Sequence, residues 1–234
     1  MLRQTVRDFM VNQQFRRDYW VKGTRKLNAI QQIEGINAQR ILLTVSRDEV
    51  ILKAQGRLGE ANLPEATYNP IIDALSDHKI KTIAQLEFVV KDRGISFTKL
   101  VQAVIILVGN GTLAIAQDDK IIASVKKQTD KLNARIMDLA RGSSDINFLA
   151  SPVTGGGITV GRFHQLFLLA MTQGKKKPDE WADAVWQLLL QRDQKIVNEG
   201  KTLESPEENI EELKKRAKYF SQKQLPILKA LQII

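Results

Sequence analysis

Apolar residues recur at roughly helical spacing over residues 6 to 21, where Val6, Phe9, Met10, Phe15, Tyr19 and Trp20 fall close to one face. The pattern predicts an opening helix that packs its aromatic side chains on a core. Two β-branched runs follow, "ILLTVS" at 41–46 and "EVILKA" at 49–54, separated by Arg47 and Asp48. They read as a hairpin or two short strands. The polar stretch "GEANLPEATYNP", with its Gly and two Pro, places a boundary near Tyr68 to Pro70.

Beyond it the pattern predicts helices from Ile71 to Ser76, from Thr82 as N-cap to Gly94 as stop, and over "SFTKLVQAVIILVGNG". Two short strands, "TLAIAQ" and "KIIASV", are expected to close on Asp118 and Asp119. Helix, helix, helix, hairpin is the winged-helix order. The third helix offers Lys99, Gln102 and Asn110 amid Leu100, Val101, Val104, Ile105, Ile106, Leu107 and Val108. A helix so nearly apolar all round is expected to be buried in protein, because a surface that reads DNA needs Arg, Lys, Asn or Gln facing bases and phosphates.

From Thr129 onward the chain reads as helices broken by the loop "SPVTGGGITV". One helix start is marked by Ser205 with Glu208 as a capping box, Pro206 in the first turn, and acids that precede Lys214, Lys215, Arg216 and Lys218. The fold class is therefore α+β, mostly helical, in three parts: a helix-hairpin region over 1–69, a winged-helix-like domain over 70–127, and a helical C-terminal domain over 128–234.

Charge changes the picture at one end. The net charge is +9, and residues 1–26 hold seven Lys or Arg against two Asp, 7 − 2 = +5. Such a footprint can steer an acidic protein surface as well as a phosphate backbone. A winged-helix nucleic-acid-binding protein is thus the alternative function class, against which the apolar third helix argues. The chain has no cysteine, hence no disulfide and no thiolate metal site, in keeping with the cytoplasm. Its longest apolar run, Leu100 to Ile115, is broken by Gln102, Gly109, Asn110 and Gly111 and is too short for a membrane span. No signal peptide is read at the start, where Arg3 and Arg7 lead into Asp8 and Asn12.

Catalytic motifs are not found. "TGGGIT" lacks the lysine of a nucleoside-triphosphate loop and does not follow a strand of a βα repeat, so Gly155 to Gly157 read as a tight loop. His78 and His164 stand far apart without a His or carboxylate three or four residues on. No Ser/His/Asp or Cys/His set emerges. No catalytic site, metal or cofactor is expected in this chain.

"DFMVNQQFRRDYW" resembles the D-F-x-x-N-x-x-F-R signature of the methyltransferase regulatory domain in bacterial class I methyltransferases, the group with the outer-membrane-protein lysine methyltransferases. The matching residues are Asp8, Phe9, Asn12, Phe15 and Arg16. "TYNPIIDALSD", "FLASPVTGGGITV", "IVNEGKTLESPEE" and "LPILKALQII" resemble later segments of the same family, in order. In place of the family's Leu-Leu-Cys stretch after F-R stands "DYWVKG". The resemblance implies a non-catalytic regulatory or substrate-binding portion of a protein lysine methyltransferase, whose S-adenosylmethionine is held by a separate Rossmann-like catalytic domain, in cis or in trans. It implies Asn12, Phe15, Arg16 and Arg17 as the surface that meets that domain or an acidic protein substrate; a homodimer is a further partner expected of the chain.

Overall fold

The central strand explains how the chain divides its core. The structure, a computed structural model, describes residues 2–13, 15, 20–56, 59–198 and 200–234. Strand β1 (Arg40–Leu43) sends Ile41 and Leu43 into one apolar cluster and Leu42 into another, the two-residue alternation of a strand putting successive side chains on opposite faces. A strand buried on both faces shows no polar alternation, which is why "RILL" reads as a continuous apolar run.

Ahead of β1 lie helix α1 (Leu2–Met10) and helix α2 (Ala29–Asn37), the latter started by an Asn28–Gln31 capping box. After it come strands β2 (Lys53–Gly56) and β3 (Gly59–Asn62), helix α3 (Glu65–Ala74), strand β4 (Lys81–Thr82), helix α4 (Ile83–Val90), helix α5 (Phe97–Gly109) and strand β5 (Leu113–Ile115). β4 and β5 flank β1, both antiparallel, with Ile41 opposite Lys81 on one side and Ile115 on the other. The residues 49–54 therefore do not pair with 41–46. Lys53 pairs with Asn62 instead, because both edges of β1 are taken by strands from farther along the chain.

The N-cap at Thr82 and the left-handed stop at Gly94 (φ 69°) stand where the sequence puts them, and the Ser96 side chain caps α5. The expected strand at 120–125 does not. It is the start of the 21-residue helix α6 (Asp119–Leu139), so no hairpin closes on Asp118 and Asp119. Over six residues β-branched content favours a strand, but Ile122, Asn133, Met137 and Ala140 are buried at helical intervals over the longer span, and packing overrides local propensity. Helix α3 runs across residues 69 and 70, and α6 across 127 and 128.

The second cluster is completed by the hairpin β6 (Phe148–Ser151) and β7 (Gly156–Thr159), helix α7 (Arg162–Thr172), helix α8 (Pro178–Leu190), the short pair β8 (Val197–Asn198) and β9 (Lys201–Thr202), helix α9 (Pro206–Tyr219) and helix α10 (Leu225–Ala230). The capping box of Ser205 and Glu208 and the first-turn Pro206 open α9 as the sequence indicates. Arg40 with Asp119 at 2.6 Å, Lys223 with Asp48, and the Tyr219 hydroxyl donating to Glu49 at 2.6 Å tie the two halves together. Among the described residues no helix is long and apolar enough to cross a membrane. The protein is α+β and mostly helical.

Candidate functional site

The motif residues at the start of the chain build a helix stop. Asn12 takes φ 52°, the left-handed conformation that Asn tolerates better than most residues. Its N–H donates to the Phe9 carbonyl at 3.2 Å, while the Gln13 N–H donates to the Asp8 carbonyl at 2.8 Å. These are the two bonds of a Schellman cap, and they satisfy the last carbonyls of α1. The left-handed Asn12 thus ends a helix at Met10, and the helix expected to reach Val21 is corrected to nine residues.

The expected inward packing of the aromatics is corrected too. Phe9 is 87% exposed, Phe15 83% and Trp20 79%, with Met10 and Val21 also exposed. None of them joins either cluster. Of the four residues implicated by the sequence, Asn12 holds the cap and Phe15 projects into solvent, its carbonyl accepting a bond from the Gln13 side chain. Arg16 and Arg17, with Asp18 and Tyr19, lie outside the described residues.

A second surface escaped the sequence reading. Helix α5 buries Leu100, Ala103, Val104 and Leu107, yet Ile105 is 65% exposed and Ile106 is exposed too. The expectation of a helix buried on every side is corrected: one stripe is open. Val101, Val104, Ile105 and Val108, at the i, i+3, i+4, i+7 spacing of one helix face, line a cleft of about 430 Å³ with Ile36 of α2 and Ile115 of β5. Gln39 is its sole polar lining side chain among the described residues. The signal was present in the sequence as an apolar stripe beyond what one core needs.

The remaining polar groups hold structure together. Gly155 has φ 70°, and a Cβ there would come within 2.9 Å of the Gln117 amide, so the glycine run serves the turn between β6 and β7. Asn133, buried in α6, donates to the carbonyls of Ala150 (2.8 Å) and Ile233 (3.2 Å) and accepts from the Ala150 N–H, while the Ser151 hydroxyl donates to the Leu231 carbonyl. "ASP" in this loop clamps the end of the chain. Arg162 donates to the carbonyls of Ala140 and Arg141 and to Gln194, capping α6.

His78 meets the Leu43 carbonyl at 3.0 Å from a turn with φ 54°. His164 lies against Phe167 and Phe220, its pKa pushed below the usual histidine value by burial and then by the Arg216 guanidinium. Among the described residues no group of three His, Cys, Asp or Glu could hold a metal ion.

Residues 1–22 match the family model described as the predicted methyltransferase regulatory domain. Over 231 residues, 99% of this chain, the sequence is 38% identical to an uncharacterized protein of Synechocystis sp.. That match takes up 45% of the relative, so the chain spans about half the length of the curated relative it matches. No solved structure matches the chain.

Proposed function

We propose that the chain is the non-catalytic regulatory and substrate-binding part of a S-adenosylmethionine-dependent protein lysine methyltransferase of the bacterial cytoplasm. It acts through protein contacts on a catalytic domain that lies in cis or in trans. The observation that carries this reading is a coincidence of place: the residues that match the methyltransferase regulatory domain, 1–22, include Phe9, Phe15 and Trp20, the three most exposed aromatic side chains among the described residues. A nine-residue helix is marginal in water without tertiary packing, so a partner surface is the natural stabiliser of α1. Phe9, Phe15 and Trp20 supply rigid contact area and the +5 segment supplies charge-assisted bonds to carboxylates.

The test uses the part of the Synechocystis relative that has no counterpart here, made as a separate protein. Calorimetry should show S-adenosylmethionine binding to that part and none to this chain. Mixing the two should raise methylation of a protein substrate. Replacing Phe15 and Arg16 together by alanine should lower that gain by about 10-fold or more, the loss of roughly 1.4 kcal/mol of contact, with cofactor affinity unchanged. Micromolar S-adenosylmethionine binding to this chain alone would overturn the reading.

A further inference from the structure

Helix α5 carries more apolar surface than its own lobe can bury. Leu100, Ala103 and Leu107 complete the first cluster, and the adjoining stripe of Val101, Ile105 and Val108 opens instead into the cleft shared with Ile36 and Ile115. About 430 Å³ holds a few large side chains, and the spacing along α5 suits another helix laid against it.

The distribution of charge indicates the occupant. Residues 27–117, which build the cleft, carry nine Lys or Arg and nine Asp or Glu, 9 − 9 = 0, whereas the segment 1–26 that leads directly into α2 carries +5. A second copy would bring +9 against +9 and set the two basic segments in mutual repulsion. A partner with an apolar ridge flanked by acids would be drawn by the segment and seated in the cleft. The relative leaves the other 55% of its length (100 − 45) as material for such a partner.

Resting on the function proposed above, we propose that the cleft between α2, α5 and β5 receives an amphipathic helix of the catalytic domain. That helix has large apolar residues on one face and Asp or Glu beside it.

Because the chain has no cysteine, Ile105→Cys can carry an environment-sensitive dye at one site, with Glu211→Cys on α9 as the control position. Titrating the labelled chain with the unmatched part of the Synechocystis relative should shift the emission of the Ile105→Cys dye to the blue and leave the Glu211→Cys dye unmoved. Ile105→Glu should weaken binding by about 10-fold or more through burial of a charge, and Ile105→Ala by less. Ile105 is 65% exposed, so both variants should melt with the parent.

Equal affinity of Ile105→Glu and parent would overturn the docking site, as would absence of binding. A blue shift produced by unlabelled chain alone would overturn it in favour of a second copy. Loss of S-adenosylmethionine binding by the unmatched part would instead strike the proposed function, since that measurement does not involve the cleft.

Discussion

Aromatic side chains near the two ends of the chain meet opposite fates. Phe9, Phe15 and Trp20 stand 79–87% exposed, while Phe167 and Phe220 are fully buried and Trp181 almost so. In the C-terminal region the ring of Phe220 lies 5.0 Å from His164, 5.6 Å from Phe167 and 6.1 Å from Trp181, the last edge-on. Helices α7, α8 and α9 converge there, and a π-turn over Phe220–Gln224 before α10 follows directly on α9. Among its described residues the opening segment has one short helix and no second layer to close on. Helical spacing tells which residues share a face and says nothing of what that face meets.

The sharpest way to break this comparison is to remove a ring from the buried set. Phe220→Ala should cost about 3–5 kcal/mol, the range for deleting an aromatic from a packed core. In a chain of this size that corresponds to a melting temperature lower by roughly 6–20 °C. Calorimetric or circular-dichroism melting checks it. A loss under about 1 kcal/mol would mean that the His164, Phe167, Trp181 and Phe220 contacts are loose.

Next in size is the polar clamp of the same region. Asn133→Ala removes both donors and the acceptor that bind Ala150 and Ile233, leaving buried backbone groups unpaired at a cost of about 1–3 kcal/mol. Ser151→Ala should cost less, since one bond to Leu231 is lost. Hydrogen exchange should locate the Asn133→Ala damage in β6 and in the residues after α10.

These elements differ in how far the sequence discloses them. Thr82, Ser205 and Glu208 are legible because a cap is a local bond between a side chain and a backbone group three residues away, and Gly94 because the left-handed backbone of a helix stop favours glycine. The pairing of β1 with β4 and β5 is not, because Arg40 meets Thr82 and Leu43 meets Leu113 across long stretches of chain that carry no register signal. The α5 stripe is legible as apolar and illegible as exposed: whether Ile105 is covered depends on how many elements arrive around α5. For the candidate site, the motif at Asp8, Phe9 and Asn12 could be recognised by spacing, but its backbone role as a Schellman cap needs φ at Asn12.

His164 adds a smaller, pH-dependent difference between the regions. Its folded pKa lies below the unfolded value, through burial first and Arg216 second. On the descent from about pH 6.5 the unfolded chain takes up the proton before the folded one, so stability should fall as pH drops through that window. His164→Gln should flatten the profile there while lowering stability at neutral pH through lost ring packing. A profile equally steep in the variant would assign the acid sensitivity to other groups.

The smallest expected effect on stability is also the one that gives the opening segment its meaning. Phe9→Ala, Phe15→Ala and Trp20→Ala together should move the unfolding free energy by no more than about 0.5 kcal/mol per position, as for surface sites without buried partners. Rings so exposed lose little cover when removed. If the triple variant melts well below the parent, those rings pack in solution and the contrast with Phe220 disappears. If it melts with the parent while losing affinity for the unmatched part of the Synechocystis relative, large apolar groups are being kept in water for a partner's sake, since contiguous exposed apolar surface otherwise favours aggregation. The two readouts separate because one measures what the fold needs from these side chains and the other what a second surface needs.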